Sequence, residues 1–238
     1  MKHRLYTRDF ILTLILRTIG NFMILSSLFF IGKTFYQPVK EEARYLYEQR
    51  INKTYVVAAP GEEQKIKREF SIDTRKGSLS QAAKDARLEV LVPIDTDFSV
   101  VIPKIAANSL VLPNVSVTEK DTYLQALQTG VAHAEGTAFP GEGGHIFMFA
   151  HSTDYIWNVG TYNAVFYLLY KLEVGDEINV FYKGQRYVYK VTGKEVVDPT
   201  EVEYLTRKTD REFLTLQTCW PPGTTLKRQL VFAERVSE

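Results

Sequence analysis

The chain has 238 residues, 45% of them hydrophobic and 13% aromatic, which is enough apolar material for one ordinary domain with extra segments. Its 29 basic and 28 acidic residues leave a net charge of +1. That balance excludes the basic excess or basic stripe of a nucleic-acid binder. A single cysteine, Cys219, excludes an intramolecular disulfide and any CxxC-type metal site.

From Phe10 to Gly32 the sequence is apolar, with one charge at Arg17 and one amide at Asn21. The run is long enough to span a bilayer, which needs about 20 apolar residues. Arg17 is costly near mid-membrane. The expected span is therefore Thr18 to Tyr36 or a few residues earlier, with Arg17 snorkelling to the near interface. Lys2, Arg4, Arg8 and Arg17 precede it, so the N-terminus is expected in the cytoplasm and all that follows outside the cell. No small-x-small cleavage site follows, because Gly32-Lys33-Thr34-Phe35-Tyr36 is a poor one, and the run reads as an anchor rather than a signal peptide. Residues 1–36 form this first unit.

Residues 37–95 change character. Glu41, Glu42, Arg44, Glu48, Arg50 and Lys53 interleave with Tyr45, Leu46 and Tyr47, a pattern for a helix continuing outward, and Ala58-Ala59-Pro60-Gly61 breaks it. Residues 61–87 are polar and read as a spacer.

Residues 96–238 form the folded domain. Short β-prone runs separated by turn residues predict strands at Ser99–Ile105, Ser109–Leu112, His145–Ala150, Glu177–Tyr182, Gln185–Val197, Phe213–Thr218 and Gln229–Val236. Lys183-Gly184 reads as a tight hairpin. Helices are expected at Asp121–Gln128, capped by Asp121 or Thr122, and at Asn163–Leu169, with Phe166, Leu169 and Tyr170 on one face. Many short strands and few helices argue for a mainly β barrel or sandwich, with a partly closed barrel favoured.

Two places in this domain carry chemistry. Gly143-Gly144 leads into the apolar strand His145-Ile146-Phe147-Met148-Phe149-Ala150, and His151 stands at its end, where binding and catalytic groups tend to lie. His145 and His151 are six residues apart on one strand, roughly 20 Å by strand rise. They cannot share a metal ion, and no metal or other cofactor is expected. The second place is Phe213 to Arg228. A strand ends at Cys219, Pro221-Pro222-Gly223 forces a loop, and Arg228 opens the next strand. A lone cysteine is ordinarily a small buried hydrophobe, and a lone arginine a surface group. If these strands pair, however, the thiol and the guanidinium meet at one end of the sheet, across the loop 220–227.

Taken together, these blocks resemble the sortases, membrane-anchored cysteine transpeptidases of mainly Gram-positive bacteria. Thr215-Leu216-Gln217-Thr218-Cys219 followed by Pro222-Gly223 and Arg228 resembles their TLxTC…R signature. Ile102-Pro103-Lys104-Ile105 resembles an early strand of the family. Gly130-Val131-Ala132-His133, Gly136-Thr137 and Pro140-Gly141-Glu142 with Gly144 resemble the approach to its catalytic histidine, whose place His151 takes.

The resemblance covers about residues 98 to 236. It implies an eight-stranded β-barrel and a catalytic set of Cys219, His151 and Arg228. His133 matches a frequent family position and is given no catalytic role. The nine-residue interval from Cys219 to Arg228 is similar to that of the pilus-building branch. The implied activity is cleavage of an LPxTG-like sorting signal through a thioacyl-enzyme. Transfer to an amine acceptor follows, either a lipid-linked peptidoglycan precursor or a pilin lysine. The implied partners are sorting-signal-bearing surface proteins or pilins. Leu112-Pro113-Asn114-Val115-Ser116 is only superficially similar to such a signal, since it lacks the Thr-Gly pair.

The chemistry fits these residue types. With reference pKa values of about 8.5 for Cys and 6.5 for His, an unperturbed pair at neutral pH is mostly thiol and neutral imidazole. Attack requires the small fraction that is thiolate and imidazolium. His151 then protonates the leaving amine and later accepts a proton from the incoming one. Arg228 stays protonated and is expected to bind the oxyanion or the substrate backbone. Thr218 is expected to help shape the oxyanion site through its hydroxyl or neighbouring amides. Two other classes fit the same residues: a non-catalytic membrane-tethered binding domain on the same barrel, and a secreted cysteine hydrolase. A thiol-reactive probe separates the first of these from an enzyme, and the products formed with and without an added amine separate the second.

Overall fold

The computed structural model describes residues 2–66, 68, 87–152 and 165–236. The chain begins with one long helix, α1 (Lys2–Arg50). Its stretch Arg8–Lys33, 26 residues whose most apolar 18 have a mean hydropathy of 1.8, is long and apolar enough to cross a membrane. The hydroxyls of Thr13, Thr18 and Ser27 donate to the carbonyls of Asp9, Leu14 and Met23, four residues back, so each polar side chain is satisfied within the helix.

A compact unit begins at Arg44, well before the boundary expected near residue 96. The last turns of α1 belong to it. Tyr45 packs against the main core and Arg44 Nη2 donates to the Ile105 carbonyl at 3.2 Å. Two short strands follow, β1 (Lys53–Val57) and β2 (Arg87–Leu91), which pair in parallel as a separate two-stranded sheet. Val57 and Leu91 pack with Val101 and Phe181, and Arg186 Nη1 donates to the Val57 carbonyl at 3.2 Å. Part of the expected spacer is therefore docked. Burial of Val57 and Leu91 drives this, and single apolar residues at alternate positions gave only a faint signal.

Eight strands close into the barrel that the resemblance implies: β3 (Phe98–Ile102), β4 (Ala107–Val115), β5 (Val131–Ala134), β6 (His145–Phe149), β7 (Glu177–Tyr182), β8 (Gln185–Val197), β9 (Phe213–Trp220) and β10 (Lys227–Arg235). Around the barrel the order is β10-β8-β7-β3-β4-β5-β6-β9. Side-chain alternation sorts the residues. Ile146, Met148 and Ala150 join Leu214, Leu216, Val231 and Ala233 in the main core. Phe147 and Phe149 point the other way and meet Ala126 and Leu127 of α2 (Lys120–Thr129). The barrel thus has an inner core and an apolar patch on its outer wall.

Several boundaries move for local reasons. β3 stops at Ile102 because Pro103 opens a 3-10 turn, and proline cannot donate to a ladder. β4 runs longer than expected, through a bulge between Leu112 and Val115 where Asn114 takes φ +52°. β5, Val-Ala-His-Ala, is buried at every position and offers no polar alternation to read. α2 forms as expected, but Glu119 is its N-cap residue, with no side-chain capping bond. Of the expected helix Asn163–Leu169, the first two positions lie outside the described residues. The rest is a turn leading into a 3-10 turn, Leu169–Lys171, although Phe166 and Leu169 do enter the core. The Lys183-Gly184 hairpin is present, with φ +50° and +76° between the paired Tyr182 and Gln185, as a type I′ turn requires. Gly130 lets the chain turn from α2 into β5, because a Cβ there would lie 2.5 Å from the Leu110 carbonyl oxygen.

The start of β9 is fixed by Glu212, whose side chain is 8% exposed. It accepts hydrogen bonds from the Tyr189 hydroxyl at 2.5 Å and the Gly141 amide at 3.2 Å, and pairs with Arg235 at 3.0 Å. These contacts tie β8, β9, β10 and the β5–β6 connection together at one end of the sheet.

Candidate active site

The site is a consequence of register. β9 lies between β6, which it pairs in parallel, and β10, which it pairs antiparallel. Cys219 is the direct cross-strand partner of Arg228. On the other flank the ladder runs to Phe149 opposite Gln217, and the Ala150 amide then donates to the Gln217 carbonyl at 3.1 Å. Continued two residues past that last pair, the register sets position 151 beside position 219. Cys219 and Arg228 thereby stand side by side on adjacent strands, with backbones about 4.8 Å apart, and His151 follows the end of β6 by two residues. Alternation puts Cys219 on the outer face with Thr215 and Gln217, while Leu214 and Leu216 point into the core. His151, Cys219 and Arg228 are all half-buried.

Thr218 lies on the opposite, inward face and is buried. Its hydroxyl donates to the Ala150 carbonyl at 2.9 Å. Both backbone polar groups of Ala150 are therefore held by β9, immediately before His151. The hydroxyl that was expected at the oxyanion site is engaged in tethering the β6 end.

Burial pushes the Cys219 thiol above its ordinary value, and the Arg228 guanidinium partly offsets this. At neutral pH Cys219 is thus a thiol rather than a thiolate. Alkylation of Cys219 by iodoacetamide should still be rising with pH where free cysteine has levelled off. Arg228→Ala should move the inflection further upward, because it removes a charge that lowers it. A Cys219 inflection below that of free cysteine would contradict this.

Arg228 Nη1 donates to the carbonyls of Thr225 at 3.2 Å and Lys227 at 3.1 Å. These bonds orient the guanidinium against its own loop. Its Nε and Nη2 make no hydrogen bond among the described residues, which leaves donors to offer a substrate. The β9–β10 loop is shorter than expected, spanning 221–226, since Trp220 and Lys227 still pair. Trp220 packs its ring 5.1 Å from that of Tyr170, so an aromatic pair flanks the nucleophile. Tyr170 was expected on a helix face with Phe166 and Leu169, and its contact with Trp220 was not anticipated.

The other histidines are committed elsewhere. His133 is fully buried; its Nδ1 accepts from the Asn114 amide at 3.3 Å, so Nε2 carries the proton and donates to the Ala138 carbonyl at 3.0 Å. Burial lowers its pKa. His145 Nε2 meets the Thr215 hydroxyl at 2.8 Å, and burial together with the Arg207 charge lowers its pKa to about 4. Among the described residues no group of three or more His, Cys, Asp or Glu side chains is arranged to hold a metal ion.

A closed eight-stranded barrel that sets a lone thiol beside a guanidinium on adjacent strands defines the class of protein. Residues 100–236 match the family model of the sortase domain, and the chain belongs to the sortase family. It is 29% identical over 139 residues to sortase D of Bacillus subtilis strain 168; the match covers 57% of this chain and 62% of that relative. Among solved structures, sortase C-1 of Actinomyces oris is similar at a TM-score of 0.50 and 32% identity, covering 61% of this chain and 76% of that one. Sortase C-1 of Streptococcus pneumoniae is similar at 0.50 and 28%, covering 67% and 74%.

Proposed function

We propose that the protein is a membrane-anchored transpeptidase. It cleaves an LPxTG-like sorting signal in a surface protein or pilin and passes the new carboxyl end to an amine. The acceptor is a lipid-linked cell-wall precursor or a pilin lysine. The observation that supports this reading is the direct cross-strand pair of Cys219 and Arg228, beside the strand that leads to His151, in a chain of the sortase family.

In this reading the mechanism is as follows. His151 takes the thiol proton, and Cys219 Sγ attacks the scissile carbonyl, forming a tetrahedral oxyanion. Arg228, aligned opposite Cys219, donates hydrogen bonds to that oxyanion or to the adjoining substrate carbonyl. The C–N bond breaks as the imidazolium protonates the departing amine, which leaves a thioester on Cys219. An incoming amine, deprotonated by His151, attacks the thioester; the C–S bond breaks and the thiol is restored. Thr218 acts on the inward side, by holding the residue before His151. No cofactor is needed to balance these steps. The apolar stretch of α1 and the basic residues ahead of it support a single-pass anchor with the N-terminus cytoplasmic and the barrel outside.

The test is incubation of the full chain in detergent micelles with a library of LPxTG-like peptides, with and without an oligoglycine or lysine-bearing acceptor, followed by mass spectrometry. Amide-linked peptide–acceptor product is expected. Cleavage that yields only the free acid, whatever the acceptor concentration, identifies a hydrolase instead. Binding with no cleavage and no thioester identifies a tethered binding domain.

A further inference from the structure

The connection between β8 and β9, residues 198–212, has an unusual path. It leaves β8 at Val197, the partner of Arg228, and enters β9 at Phe213, the partner of His145. Its start is therefore at the Cys219 end of the sheet. Its finish is six residues down β9 from the thiol, roughly 20 Å away by strand rise. Between these points it crosses the outer wall that bears Cys219. Tyr204 and Leu205 pack on the cluster of Phe147 and Phe149. The Tyr204 ring stacks on Phe232 of β10 at 5.9 Å and 25°. Asp198, at the start of the connection, pairs with Lys227 at 3.2 Å.

Arg207, whose charge acts on His145, has no part in the proposed mechanism. Its guanidinium lies 5.5 Å from the Tyr204 ring centroid, 5.3 Å from that of Phe213 and 5.2 Å from that of Phe232. One cation thus bridges three elements: the crossing segment, the first residue of β9 and the middle of β10. Arginine suits this place. Its planar, weakly hydrated guanidinium stacks on rings, whereas a lysine ammonium is a compact, strongly hydrated point charge. The residue is exposed, so each ring contact is weak by itself. Their sharing of one group lets them act together.

We propose that Arg207 is a positioning residue for the substrate groove. By clamping Tyr204 between β9 and β10, it holds the crossing segment against the outer wall that carries Cys219 further along β9. It thereby sets how well a sorting peptide binds rather than how fast the thiol reacts. The binding part rests on the transpeptidase reading; the clamp itself does not.

The test compares the full chain with Arg207→Ala and Arg207→Lys by hydrogen exchange and by steady-state kinetics with a cleaved LPxTG-like peptide. The amides of Glu201 and Leu205, which donate to the carbonyls of Asp198 and Val202, report on the segment. For Arg207→Ala their exchange should be about tenfold faster. KM should rise about fivefold or more with kcat within about twofold. Iodoacetamide should alkylate Cys219 at an unchanged rate, and Arg207→Lys should recover only part of the KM.

Exchange and KM both at the wild-type level would overturn the proposal, as would a fall in kcat with KM unchanged. Should Arg207→Ala fail to fold, Phe232→Leu removes one ring of the clamp, and the same shifts are expected at about half the size on a logarithmic scale. If the wild-type chain turns over no peptide, the transpeptidase reading fails, and the exchange measurement alone decides the clamp.

Discussion

With Cys219→Ala, the chain should form no covalent adduct with a sorting-signal peptide and release no product, with or without an amine acceptor. The step removed is bond formation itself. Neither His151 nor Arg228 can substitute: in the proposed mechanism the imidazole moves protons, and the guanidinium remains protonated and offers only donors. The loss should appear in intact-mass spectra as the absence of a thioester species under conditions that trap one in the wild type. It should not come from unfolding. Cys219 is half-buried and near a strand end, where loss of a sulfur costs far less than a large core truncation. Thermal melting of the variant should therefore stay close to wild type. Turnover retained by Cys219→Ala at more than a trace would end the thiol mechanism.

His151→Ala is expected to lower kcat/KM by about 10³, within the 10²–10⁴ typical of a positioned proton donor and acceptor, or about 4 kcal/mol of transition-state stabilisation. The reason lies in the thiol. Because burial holds Cys219 protonated at neutral pH, the reaction depends on a base that can take that proton and return it to the leaving amine. Removing the ring leaves a thiol that ionises only in alkali. The variant's residual rate should climb with pH across the range where the wild-type rate has already turned over. A pH–rate profile of the same shape in both proteins would assign the proton transfers to another group.

Much of the strand framework around Cys219 and Arg228 was legible because its signals are local. Phe213 to Thr218 alternates as a strand does, Pro221-Pro222-Gly223 stops it, and Arg228 opens the next run. The strand pairing that sets Cys219 opposite Arg228 follows once the loop between them is short. His151 could be placed at a strand end from the glycine pair and the apolar run before it. The eight-stranded closed barrel was reached by resemblance and its strand order was not anticipated, since periodicity says which face a residue takes but not which strand it meets.

The misses share a cause. β1 and β2 are five residues each and pair in parallel across a long intervening segment, so no turn marks them. β5 is buried on both sides. Thr218 looked like a group beside the sulfur, yet strand alternation turns it inward onto the Ala150 carbonyl. The Arg207 clamp depends on rings from β9 and β10, which are neighbours only in the folded sheet.

The closure of the sheet bears on mechanical load. In the proposed reaction a cargo protein hangs from Cys219 by a thioester until an amine arrives, and traction on a cargo exposed outside the cell would reach β9 through that sulfur. β9 is no edge strand: it is bonded along β6 on one side and β10 on the other. A pull along the strand must shear both ladders at once, since there is no free edge to peel one bond at a time. The attachment point should therefore resist force far better than a nucleophile on a flexible loop.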